Sequence, residues 1–70
     1  MKLQIETTKG GTKNYSLSQT ARGVDVYRIG GGFFGSSSKF IGHGHDTAAA
    51  VLVARVDAGD STVRAVHIHA

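Results

Sequence analysis

The chain has 70 residues, a net charge of +3, no cysteine and no proline, and a pI near 9.7. Without cysteine, disulfides and thiolate metal sites are excluded. No run approaches the roughly 20 apolar residues of a membrane span, and MKLQIETTKG lacks the apolar core of a signal peptide, so the expectation is one soluble, cytoplasmic domain spanning residues 1–70.

The first half alternates with period two, the mark of half-buried strands. In KLQIET, Leu3 and Ile5 oppose Lys2, Gln4 and Glu6. Lys9-Gly10-Gly11-Thr12 reads as a turn, because glycine supplies the positive φ that hairpins need. In KNYSLSQ, Tyr15 and Leu17 share a face. After Arg22-Gly23, the run VDVYRI puts Val24 and Val26 on one face and Tyr27 and Ile29 on the other. A bulge could reconcile these two apolar sets. A glycine-rich stretch follows, then SSSKFIGH as a short fourth strand.

The period then changes. Thr47 to Ala58 holds no glycine, and Ala49, Leu52, Val53 and Val56 fall at i, i+3, i+4, i+7. That spacing predicts a helix with those four residues on its core stripe. Asp46 or Thr47 suits the N-cap and Gly59 the left-handed position after the last turn. TVRAVHIH closes the chain as a strand. The order β-β-β-(β)-α-β predicts a small two-layer α+β domain, with one helix on one face of a mainly antiparallel sheet. The stripe opposite the expected core is also apolar: Ala50, Val51 and Ala54. It is the expected face of a homodimer, since a helix apolar all round is usually buried.

The stretch GGGFFGSSSKFIGHGHD concentrates the candidate chemistry. Gly30-Gly31-Gly32-Phe33-Phe34-Gly35 matches G-x-G-x-x-G. A dinucleotide fingerprint must also open a helix inside a βαβ unit, whereas this run leads into SSSKF. The surroundings of Lys39 do not spell a phosphate-binding P-loop either. The expectation is a flexible hairpin connection that is also the first place to seek a partner, with Phe33 and Phe34 available to stack and Lys39 available to an anion. Six of the eight cations lie in residues 1–40, against Glu6 and Asp25 alone. Such asymmetry points to an anionic partner. Lys13, Arg22, Arg28 and Lys39, with Phe33 and Phe34, are the expected partner-binding residues.

His43-Gly44-His45 and His67-Ile68-His69 are both H-x-H. On a strand, residues i and i+2 share a face. If the two segments are neighbours, four imidazoles converge into a site for Zn, Ni or Cu. HGHD resembles the opening of the H-x-H-x-D-H motif of metallo-β-lactamase-fold hydrolases. The resemblance covers four residues, the motif's final histidine is absent and 70 residues cannot hold that fold, so the activity is not carried over. Ser36, Ser37, Ser38, His43, His45 and Asp46 supply the residue types of nucleophilic catalysis, but no rigid scaffold holds them and there is little room for a water-excluding pocket. The expectation is a non-enzyme.

Three functions remain. The first is an inhibitor or accessory protein that docks on a larger protein or nucleoprotein complex. In size and class the chain is similar to the cysteine-free stand-alone domains of phages and mobile elements, such as anti-CRISPR proteins. The second is a nucleic-acid-binding module that uses a basic sheet or hairpin surface. The third is a metal-binding module built on the histidines.

Overall fold

A computed structural model describes residues 1–32 and 35–69. The strands are β1 (Lys2–Thr7), β2 (Thr12–Thr20), β3 (Gly23–Gly32), β4 (Gly35–Gly44) and β5 (Val63–His69). The helix α1 is Thr47–Ala58, and a single 3₁₀ turn, Asp60–Thr62, leads into β5. The strands form one antiparallel sheet in the order β4-β3-β2-β1-β5. One helix packs on one face, which is the two-layer α+β architecture the sequence predicts. β4 and β5, consecutive strands joined by α1, are the two outer edges. The helix therefore crosses the sheet to connect them. Among the described residues no helix is long and apolar enough to cross a membrane.

Local chemistry explains most of the boundaries. Gly10 turns β1 into β2 at φ 81°, and Gly23 opens β3 at φ 137°. Both angles are ones that side chains with a Cβ resist. The Asp46 carboxylate accepts from the Ala49 amide at 2.8 Å and caps α1. Gly59 ends it at φ 92°, its N–H donating to the Val56 carbonyl. Thr47–Ala58 is the helix span that the sequence predicts.

The core lies between α1 and the inner sheet face. Leu3, Ile5, Tyr15, Leu17, Val24 and Val26 are buried there, and the helix contributes Ala50 and Ala54, both wholly buried. This differs in part from the expected helix orientation: Val53 of the expected stripe packs against the core, but Ala50 and Ala54 lie deepest. Ala50, Val51 and Ala54 face the sheet, so they cannot offer a dimer face. Leu52 and Val56, expected in the core, are 60% and 72% exposed. The cause is close approach. β4 presents Gly42 and Gly44 beneath the helix, and a Cβ on Gly44 would lie 2.4 Å from the Ala50 nitrogen. Alanine against glycine lets the two backbones nearly touch, which larger side chains would prevent.

Two strand details also differ from expectation. β3 needs no bulge: Val24, Val26 and Arg28 point inward, and Asp25, Tyr27 and Ile29 point outward. The register shift sits opposite, on β4, where Val26 pairs with Gly42 and Tyr27 with Phe40, leaving Ile41 as the extra residue. The glycine-rich stretch is mostly strand. Gly30, Gly31 and Gly32 pair with Ser37, Ser36 and Gly35, so β4 is ten residues long rather than short. Phe33 and Phe34 lie outside the described residues.

Candidate functional site

The helix covers one face of the sheet and leaves the other open. Cross-strand register arranges that open face in rows. One row runs His69, Lys2, Ser16, Tyr27, Phe40. The next runs His67, Gln4, Asn14, Ile29, Ser38. Tyr27 and Phe40 meet edge to face, with ring centroids 5.7 Å apart at 71°, the geometry that the aromatic quadrupole favours. Phe40 is 54% exposed. A shallow hollow is lined by Lys2, Ser16, Ser18, Tyr27, Ile29, Ser37 and Ser38, and no carboxylate is among its described lining residues. The aromatic pair and Ile29 therefore lie towards the β4 edge of the open face, with Ser16, Ser18 and Ser38 beside them.

The predicted cations lie elsewhere. Arg28 points to the helix side, where its guanidinium is 3.1 Å from Asp57 Oδ1. Lys39 is its cross-strand neighbour and shares that side. Lys13, opposite Ile5, also points that way. Arg22 sits in the β2–β3 turn at the far end of the sheet. The open face therefore carries aromatics, and the helix side carries most of the predicted cations.

The histidines do not converge. His43 is on β4 and His67 and His69 are on β5, at opposite edges with three strands between them. Among the described residues no three His, Asp or Glu side chains gather in a metal-binding group. Each of three histidines has an acidic neighbour instead. His43 Nδ1 is 2.7 Å from Asp25 Oδ1, His67 Nε2 is 2.8 Å from Glu6 Oε2, and His45 Nε2 is 3.3 Å from Asp46 Oδ2. The His43–Asp25 pair has the outline of a catalytic dyad. However, His43 Nε2, the atom that would take a proton from a nucleophile, is engaged by the Arg22 carbonyl at 3.1 Å.

Sequence reasoning missed the Tyr27–Phe40 pair as a surface feature. The signal was there: β3 is apolar on both faces at Val24, Val26, Tyr27 and Ile29, and a single helix can cover only one of them. The chain matches no family model, no curated protein and no solved structure. What fold and site define is a class, a two-layer α+β domain with one sheet face that the helix leaves uncovered and that bears an aromatic pair at its β4 edge.

Proposed function

We propose that the protein is a non-enzymatic docking module that binds a larger protein, alone or within a nucleoprotein complex, through the uncovered sheet face. The observation that carries this reading is the Tyr27–Phe40 pair, half-buried at Tyr27 and 54% exposed at Phe40, at the β4 edge of a polar sheet face. Aromatic anchors on a rigid sheet bind with little entropy left to lose. The polar rim of Ser16, Ser18, Asn14 and Gln4 matches the water-excluding surround of such anchors.

A nucleic-acid partner is the second reading, favoured by Tyr27 and Lys2 in a hollow with no carboxylate among its described lining residues, beside Phe40, since bases stack on aromatic side chains. It is the weaker of the two. Phosphate contacts and base stacking belong on one surface, and Lys13, Arg28 and Lys39 point to the other side of the sheet.

Affinity capture with the wild type, Tyr27→Ala/Phe40→Ala and Leu52→Lys/Val56→Lys tests the main reading. A partner held by the wild type and the helix variant, but lost by the sheet variant, is the expected result. Loss with the helix variant alone would move the site to α1. Fluorescence anisotropy of single- and double-stranded oligonucleotides at low and physiological salt tests the second. Binding that weakens log-linearly with salt, and fails in the sheet variant, would put nucleic acid first.

A further inference from the structure

The end of the sheet beside the β2–β3 turn holds a cluster that the docking reading does not use. His43 stands at the end of β4 with an acceptor at each ring nitrogen. Nδ1 faces the Asp25 carboxylate at 2.7 Å, and Nε2 faces the Arg22 carbonyl at 3.1 Å. Neither acceptor can donate. A neutral imidazole carries one N–H and can satisfy only one of them. The imidazolium carries two and satisfies both. The place is also sterically tight. Gly23, at φ 137°, approaches so closely that a Cβ there would lie 2.4 Å from the Gly44 carbonyl oxygen and 3.0 Å from His43 Nε2. The next residue on β4, Gly44, lies under the first turns of α1.

We propose that His43 is a proton-operated latch: as the imidazolium it clamps the β2–β3 turn onto the end of β4, and it releases that turn when it loses its proton. The charged groups that face it are Asp25 from β3, which favours the imidazolium, and Arg22 from the turn, whose guanidinium opposes it. On its own segment, His45 is engaged with Asp46. The Asp25 hydrogen bond, followed by that of the Arg22 carbonyl, holds the His43 pKa above its ordinary value of 6.5. The sign follows directly. A base whose folded-state pKa lies above its unfolded one stabilises the fold fully below the unfolded value, and this contribution is lost as pH rises through the folded value. The latch is therefore shut in mildly acid solution and opens on the alkaline side of the ordinary histidine range. A clamp sensitive in this range would let proton concentration set the stiffness of one end of the open sheet face.

Imidazole nitrogen resonances measured by NMR across pH 5 to 9 test the latch, in the wild type and in Asp25→Asn. The expected result is that both His43 nitrogens carry protons past the ordinary histidine midpoint, that the midpoint shifts down in Asp25→Asn, and that ¹⁵N relaxation of Ala21 to Gly23 reports faster motion above the midpoint. A midpoint unmoved by Asp25→Asn overturns the proposal. So does a turn whose relaxation is the same on both sides of it. Melting temperature against pH gives a separate reading. The wild type is expected to lose its advantage over His43→Gln as pH rises, and a constant gap between the two proteins also counts against the latch.

Discussion

The Tyr15 hydroxyl donates to Asp57 Oδ2 at 2.8 Å, and this one bond joins β2 to the last turn of α1 across the core. The Arg28 guanidinium reaches the same carboxylate from β3. Asp57 is thus held by two strands at once, and the helix is fixed in rotation as well as position. Its Ala50–Ala54 side stays down on the sheet because its C-terminal end is tied.

Removing the acceptor should hurt more than removing the donor. Asp57→Ala leaves the Tyr15 hydroxyl buried without a partner and Arg28 without its anion, a cost of about 1–3 kcal/mol. Tyr15→Phe removes one hydrogen bond and leaves Asp57 with Arg28, at about 1 kcal/mol. Urea unfolding of both variants checks the order, and a larger loss in Tyr15→Phe would contradict this account of the tie.

Alkali should reach Tyr15 late. Burial first, and then the Asp57 hydrogen bond and charge, hold its phenol well above the ordinary tyrosine range. The fold favours the protonated phenol, so the stability this contributes is complete below about pH 10 and is lost as pH rises through the folded value. In a Tyr27→Phe variant, the remaining phenol should ionise together with unfolding. Phenolate absorbance appearing while the circular dichroism is still native would refute this.

The two β4 glycines should not tolerate alanine equally. A Cβ on Gly44 meets helix backbone, 2.4 Å from Ala50 N and 2.7 Å from the Ala49 carbonyl carbon. A Cβ on Gly42 meets the Val53 Cγ1 methyl at 2.7 Å, and a side chain can turn aside. Gly44→Ala is expected at or above the upper end of the about 1–3 kcal/mol that overpacking costs, and Gly42→Ala near the lower end. Equal denaturation midpoints would mean that α1 does not sit this close to β4.

The exposed side of the helix should accept charge. Leu52→Lys and Val56→Lys remove large apolar groups that already face water, and lysine is a good helix former, so each is expected within about 0.5 kcal/mol of the wild type. Ala54→Leu inserts bulk between helix and sheet and is expected to cost about 1–3 kcal/mol. Thermal melts rank the three. Collapse of Leu52→Lys with a tolerated Ala54→Leu would restore the orientation that hydrophobic spacing alone suggests.

That last contrast shows where a sequence informs and where it misleads. Strand alternation, the Asp46 cap and the Gly59 stop were legible because each depends on residues within a few positions of one another. The helix face was not. Spacing ranks Leu52 and Val56 above Ala50 and Ala54, but the glycines that decide the question belong to another element. The histidines failed as a site for the same reason: whether His43 meets His67 depends on strand order, and nothing local specifies that β4 and β5 end at opposite edges. The open face is half legible, since strand alternation alone puts Tyr27 and Ile29 on one side, while Phe40 joins them only through the register of β4 on β3.

The position of β5 has a consequence for how the molecule comes into being. Of the five strands β1 is synthesised first, yet its second neighbour, β5, paired as Ile5 with Val66 and Lys2 with His69, is synthesised after the other four. Until then the nascent sheet stops at β1, whose unpaired N–H and C=O groups can recruit any passing strand. The helix is already complete by that time and can lie on the four-stranded sheet, but it cannot seal it. A chain halted after Ala58 therefore has every element of the core except its closure, and its hazard in the cell is stickiness rather than shapelessness.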